Sequence, residues 1–297
     1  MSHVPLSPGR DVGSKSDVEM RPIIGADVRR AAEFLHAHLN PRVSAADWAA
    51  SVDVPWEVDR PDAGLMLVDG DEVVGAHLAF YSERVIDGRR ERFCSLGAWC
   101  VLPEYRFQGL RLLKALLAQE GYHFTDLSPS PAVAALNRRL GFRDLDTTTA
   151  LALNLPWPGR GRISSDPALI ERTLTGRELE LYRDHRAAPA ARHVVLVHGD
   201  EWCYVMFRKD RRKRLPLFAT ILYVSHPHLF GAMARPLARH LLVRHGALAT
   251  LLEAHVVANR PWPSVELPKP RPRMFRSSSL DAADIDYLYS ELACMKW

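Results

Sequence analysis

The sequence predicts an α+β protein built as two similar halves in tandem. Helical periodicity near the start gives way to apolar strands joined by tight Asp/Gly turns, and a leucine-rich helix follows the last of them. The segment Leu67-Val68-Asp69-Gly70-Asp71-Glu72 then returns as Leu196-Val197-His198-Gly199-Asp200-Glu201, displaced by 129 positions (67 to 196, 72 to 201). A match of only six residues gains weight because strand, basic turn and strand follow the second copy as they follow the first.

A chain of 297 residues, 47% hydrophobic and 25% charged, has apolar material for one large core or two ordinary ones, since domains centre on ~100–150 residues. Its formal charge of +4 is small for that length and offers no general attraction to nucleic acid, so no nucleic-acid partner is expected. No run of about 18 apolar residues occurs, and the first twenty residues lack the apolar centre of a secretion signal. The expectation is a cytoplasmic protein without a membrane span. Cys94, Cys100, Cys203 and Cys294 are too scattered for a disulfide framework or a metal site.

Residues 1–18, rich in Ser, Pro and Gly, read as a flexible lead. From Gly25-Ala26-Asp27 a helical pattern places Val28, Ala31, Ala32 and Leu35 on one face, and Ser44 caps a second helix, so two short helices precede any strand. Residues 64–68 form a strand, 69–72 a tight turn and 73–81 the returning strand; a turn at 86–90 leads into a third strand at 92–101. Residues 202–208, 210–214 and 217–224 repeat strand, turn and strand, followed by helical spacing over 228–245 and a strand at 247–252. Helix breakers at 156–161 mark the boundary, giving halves at 19–155 and 162–258. Residues 259–297 begin proline-rich and extended, and residues 279–284 start a short last helix whose Ile285, Tyr287 and Leu288 must dock on one of the two cores.

Between the strand ending at Val101 and a helix beginning near Gly109 lies Leu102-Pro103-Glu104-Tyr105-Arg106-Phe107-Gln108-Gly109-Leu110-Arg111. The first amides of a helix have no partner within it and carry partial positive charge, which suits a pyrophosphate. Gly109 would admit the phosphates close to the backbone, and Arg106 and Arg111 would add permanent charge. The run resembles motif A of the GNAT acyltransferase superfamily: Arg or Gln, two residues, Gly, one residue, then Gly or Ala, usually after Val-x-Pro-x-Tyr. Val101, Pro103, Tyr105, Arg106 and Gly109 fit, whereas Arg111 stands where Gly or Ala is usual.

Residues 122–126, the turn Ser128-Pro129-Ser130-Pro131 and a helix ending Leu140-Gly141-Phe142 resemble motif B of the same superfamily. The resemblance implies two GNAT-like halves, each a mixed, mostly antiparallel sheet flanked by helices. It implies acyl-CoA (acetyl or longer) as co-substrate, no metal, and a small-molecule amine acceptor such as a metabolite or a sugar amine. Cofactor contacts are implied at Cys100, Val101, Arg106, Phe107, Gln108, Gly109, Leu110 and Arg111, with a strand-end amide near Cys100 or Val101 as oxyanion donor. Many members carry an acidic tyrosine four residues before the motif B glycine; Asn137 stands there and cannot supply a proton near neutral pH. The strand at 93–101 also lacks the usual carboxylate base. Ser130, His123 and His185 are the candidates for proton transfer, each with an ordinary structural role as the alternative. The basic run at 208–214 reads as a solvated turn, and residues 224–231 lack the Arg-x-x-Gly pattern, so only the first half is expected to bind coenzyme A. A non-catalytic acyl-CoA-binding scaffold is a second class the sequence allows, and nucleic-acid binding through residues 208–214, with an affinity that falls steeply with salt, a third.

Overall fold

A computed structural model describes residues 18–212, 215–257 and 263–296. The lead expected at 1–18 lies outside these except for Val18, which is buried, and Lys213 and Arg214 of the basic run also lie outside them. The chain runs β1 (Glu19–Pro22), α1 (Asp27–His38), α2 (Ala45–Ser51), β2 (Gly64–Asp69), β3 (Glu72–Ile86), β4 (Arg89–Val101), α3 (Arg106–Leu117), β5 (Tyr122–Asp126), α4 (Pro131–Arg139), β6 (Arg143–Asp144) and β7 (Thr149–Leu153). It continues with β8 (Arg162–Ser164), α5 (Pro167–Thr173), α6 (Gly176–His185), β9 (Ala191–His198), β10 (Glu201–Arg212), β11 (Leu215–Val224), α7 (Pro227–Ala232), α8 (Ala234–His245), β12 (Ala249–Glu253), β13 (Ser264–Glu266), β14 (Met274–Arg276) and α9 (Glu291–Cys294).

Local chemistry accounts for most of these elements. The Ser44 hydroxyl accepts the Asp47 amide at 3.0 Å and starts α2. Asp87 and Gly88 both take positive φ, 48° and 77°, the turn that matches the twist of the long β3–β4 hairpin. Three local expectations change. An edge strand, β1, precedes the helices and pairs antiparallel with β2. The helical spacing over 228–245 divides into α7 and α8 around Met233. The helix expected at 279–284 is a single 3-10 turn at Ala282–Asp284, capped reciprocally by Asp281 and Asp284.

Two seven-stranded sheets result, in the orders β1-β2-β3-β4-β5-β14-β6 and β8-β9-β10-β11-β12-β7-β13. Written in this direction they correspond position by position: β4 runs parallel to β5 as β11 does to β12, and β5 is followed by an antiparallel partner as β12 is. The repeated six residues are the β2–β3 and β9–β10 hairpins. The exchange of β7 and β14 sets the architecture. β7 leaves the first half to pair with β12, and β14 returns from the far end of the chain to lie between β5 and β6. A boundary at 155–162 therefore cuts inside the second sheet, because Thr149–Leu153 makes its ladder there.

The outer face of the first sheet packs on α3 and α4 through Leu113, Leu116 and Ala134; that of the second packs on α7 and α8 through Phe230, Leu237 and Leu241. The inner faces share one core with α1, α2, α5 and α6, filled by the C-terminal segment through Leu280, Ile285, Tyr287, Leu288 and Leu292. The segment expected to dock on one core thus bridges both.

Buried neutral imidazoles make this core sensitive to acid. Burial pushes His185 and His77 down to about 3 and His193 to about 4, from an ordinary 6.5. The unfolded chain therefore binds more protons than the folded one between those values. Stability is fully present above 6.5 and is lost as pH falls, by ~1.4 kcal/mol per pH unit for each such group. The urea midpoint is expected to drop between pH 7 and pH 5, and His185→Gln is expected to flatten that slope. A midpoint independent of pH over this interval would contradict the assignment.

Candidate functional site

The site begins at an irregularity in the first sheet. β4 and β5 pair in parallel only from Arg92↔Tyr122 to Leu96↔Asp126, after which β4 continues to Val101 and β5 turns away. At the same point β4 bulges against β3: the pairs His77↔Trp99 and Ala79↔Leu96 enclose Gly97 and Ala98 on β4 but Leu78 alone on β3. The two effects leave the edge of β4 beyond Leu96 without a partner strand and open a cavity of about 670 Å³. Residues 97–99 form one wall and 126–131 the opposite one. Arg208 and Asp210 of β10, the stretch 270–273 before β14, and Leu292 complete it. The second half and the exchanged segment are therefore part of the wall.

The predicted cofactor turn lies just beyond this wall. Cys100 and Val101 close β4, still paired with Ala76 and Gly75. A 3-10 turn at Pro103–Tyr105 follows, and α3 starts at Arg106, one turn earlier than expected, so Arg106, Phe107, Gln108 and Gly109 all occupy its first turn. The Tyr105 hydroxyl donates to Asp69 Oδ2 at 2.5 Å and ties the turn to the β2–β3 hairpin. No side chain caps α3 and no acidic residue stands in its first turn, so nothing there offsets the helix macrodipole, although the Arg106 amide already donates to the Pro103 carbonyl. Arg106 forms no ion pair among the described residues, and Arg111 holds only the Gln108 amide oxygen at 2.5 Å. Phe107 is 75% exposed and Leu110 is half-buried. Gly109 differs from the expectation. A Cβ there would face the sheet, 3.3 Å from Val101 Cγ2 and 3.5 Å from the Trp99 ring. The glycine serves close helix–sheet packing, so a bulky substitution would disturb the fold together with any anion site.

Of the three proton-transfer candidates only Ser130 reaches the cavity, where it also caps α4 by accepting the Val133 amide. The His123 ring is held at both nitrogens, by Glu91 at 2.9 Å and Ser277 at 2.8 Å, and lies outside the cavity lining. His185 Nδ1–H donates to the Leu181 carbonyl, while Nε2 accepts the Tyr289 amide at 3.0 Å. It anchors the C-terminal segment away from the cavity. The basic run is not a solvated turn at its start: Arg208 is 3% exposed, bonded to Asp210 and to the carbonyls of Leu292 and Met295.

The cavity wall and the layer behind it hold groups the sequence reading passed over. Asp126, at the end of β5, accepts the Asn137 side-chain amide at 2.8 Å. Burial, with the Glu291 carboxylate nearby, pushes its carboxyl up to about 7. Glu291, on α9, accepts from Ser95 and Ser128 at 2.8 Å each and from the Leu127 amide. Asp126 was visible as a strand end and Asn137 as a departure from pattern; their contact, eleven residues apart, depends on the return of α4. Glu291 carried no signal because the place where the last segment docks was not legible. His77 stacks on Trp99 with ring centroids 5.0 Å apart and borders the same space as a neutral imidazole. Among the described residues no group of three His, Cys, Asp or Glu side chains could hold a metal ion, and no helix is long and apolar enough to cross a membrane.

A strand–turn–helix beside a diverging pair of parallel strands, built twice in one chain, is an arrangement this chain shares with solved acyltransferase structures. No family model and no curated protein sequence matches the chain. Solved structures do. A GCN5-related N-acetyltransferase from Anabaena variabilis superposes with a TM-score of 0.55 at 12% identity, covering 87% of this chain and 72% of that one. A putative acetyltransferase from Pyrococcus horikoshii gives 0.54 at 15% identity over 98% of both chains. N-myristoyltransferase of Saccharomyces cerevisiae, solved with bound myristoyl-CoA, gives 0.51 at 7% identity, covering 83% and 79%.

Proposed function

We propose that the protein transfers an acyl group from a coenzyme A thioester to an amine. The observation that carries this reading is the divergence of β4 from β5 beside an uncapped helix N-terminus. It offers a slot for an extended thioester arm, edged by free backbone groups, and a cationic seat for a pyrophosphate within reach of the same strand end. The first turn of α3, Arg106, Phe107, Gln108 and Gly109, takes the phosphates with the Arg106 and Arg111 guanidinium groups, and Leu110 lies beside them. The backbone of Cys100 and Val101 lies towards the thioester carbonyl, where a strand amide stabilises the tetrahedral oxyanion. The acceptor enters from the side walled by Arg208, Asp210 and residues 270–273. That wall supports a small molecule with polar groups, a metabolite or an amino sugar of an envelope or polysaccharide precursor. The yeast structure with myristoyl-CoA supports testing long acyl chains beside acetyl.

The test is calorimetry with acetyl-, palmitoyl- and myristoyl-CoA, followed by release of free thiol in the presence of amines. Arg106→Ala and Arg111→Ala are each expected to weaken acyl-CoA binding by ~10- to 100-fold, since a charge-assisted contact contributes ~1.5–3 kcal/mol. Absence of binding by any of the three thioesters would remove the proposal. A scaffold that binds acyl-CoA without turnover is the second reading, favoured by Asn137 in the tyrosine position; tight binding with no thiol release on any amine would select it.

A further inference from the structure

Acyl transfer from a thioester to an amine needs a group that gives a proton to sulfur and takes one from nitrogen. Most polar side chains around the cavity are committed elsewhere. Arg208 is saturated by Asp210 and two carbonyls, and Arg273 by Glu253 and the Leu127 carbonyl. Asp210 is held ionised, below the ordinary carboxylate range, by Arg208 and the Thr220 hydroxyl despite its burial. His77 is too deeply buried to take up a proton near neutrality. Ser130 caps a helix.

Asp126 differs in position and in partners. It stands at the last paired residue of β5, where the slot between the strands opens, and it lines the cavity. Its Oδ2 is fixed by Asn137, whose own side chain is fully buried with Oδ1 unpartnered and whose backbone carbonyl is tied to the amides of Leu140 and Phe142. The groups facing it are the Glu291 carboxylate from α9, the Asn137 amide from α4 and the Ser128 backbone amide. His77 of β3, Arg208 and Asp210 of β10, and Arg271 and Arg273 border the same space.

We propose that Asp126 carries the proton in acyl transfer, with Asn137 as its positioning residue; the proposal rests on the acyl-CoA reading above. The amine nitrogen attacks the thioester carbonyl, and a C–N bond forms. As the tetrahedral intermediate collapses, the C–S bond breaks and the departing thiolate takes the Asp126 carboxyl proton. The resulting carboxylate then takes the extra proton from the new amide nitrogen. Amide and free thiol leave, and Asp126 is again protonated, so neither a proton nor an electron is left over. The acid is competent up to about pH 7, where burial beside Glu291 holds it neutral, and is lost above.

The test compares wild type with Asp126→Asn, a replacement of the same shape that keeps an acceptor for Asn137. Expected results are a fall in kcat on the order of 100-fold or more, unchanged acyl-CoA affinity, and loss of the alkaline limb near pH 7 from the residual activity. Asn137→Ala, which removes a bond favouring the carboxylate, is expected to move that limb to higher pH. Wild-type turnover with Asp126→Asn within threefold and the same pH profile would overturn this proposal alone. A wild type that neither binds nor consumes any acyl-CoA would overturn the acyl-CoA reading and this proposal with it.

Discussion

A chain ending at Arg276 is expected to lose its cooperative unfolding transition and to expose apolar surface from both halves. The removed segment contributes Leu280, Ile285, Tyr287, Leu288, Leu292 and Met295 to the shared core, all buried. At ~1.5–3 kcal/mol for each large apolar side chain, the loss approaches the whole ~5–15 kcal/mol that holds a folded domain. Polar losses add to it. Arg84, 8% exposed, would lose Asp286 at 2.6 Å and the Leu288 carbonyl, and Arg208 would lose two carbonyl partners. A buried cation without partners is more costly than a missing methyl group. Urea unfolding followed by tryptophan fluorescence measures this, and a synthetic peptide of residues 277–297 is expected to restore the transition in trans. A truncated chain with the full-length midpoint would show that the segment merely lies on the surface.

The hairpins β2–β3 and β9–β10, α3 and its strand-end turn were legible in the sequence because each is a local pattern: alternation, a two-residue turn, leucines on one face. The correspondence of the halves was legible from six residues for the same reason. The exchange of β7 and β14 was not. Each is a short extended segment beside prolines or polar residues, and nothing in its own sequence says which edge it joins. Asp126 shows the same division. Its residue type and strand position could be read, but its proximity to Asn137 and Glu291 arises from chain segments returning over 11 and 165 positions (126 to 137, 126 to 291). The three candidates chosen for residue type met a related limit: a histidine's chemistry is set by what surrounds it, and the surroundings of His123 and His185 are structural.

The strand exchange also gives the second sheet a part in the cavity. Because β14 must cross from the second half to reach β5, the stretch 270–273 passes over the mouth of the β4–β5 slot, and Arg208 and Asp210 of β10 are brought against it. The cavity wall therefore depends on both halves. A change that loosens their junction should alter the cavity before it alters the α3 turn, which is tied to its own hairpin through Tyr105 and Asp69.

Arg273→Ala is expected to destabilise the protein by ~3–5 kcal/mol, the cost typical of removing one partner of a buried ion pair. Arg273, 3% exposed, lies on the crossing stretch; its guanidinium grips both oxygens of Glu253 at the end of β12 at 2.6 and 2.7 Å, and it bonds the Leu127 carbonyl beside Asp126. Tyr287 also donates to Glu253 at 2.7 Å. One side chain thus links the second sheet, the end of β5 and the C-terminal segment. Its removal leaves a buried carboxylate with a single hydroxyl donor, so the penalty comes chiefly from the uncompensated charge rather than from lost attraction. One consequence separates this cause from simple loss of packing. The double variant Arg273→Met with Glu253→Gln should recover a large part of the stability, giving a coupling of several kcal/mol in a double-mutant cycle of urea midpoints. A deficit that simply adds to that of Glu253→Gln would mean that Arg273 fills space and nothing more.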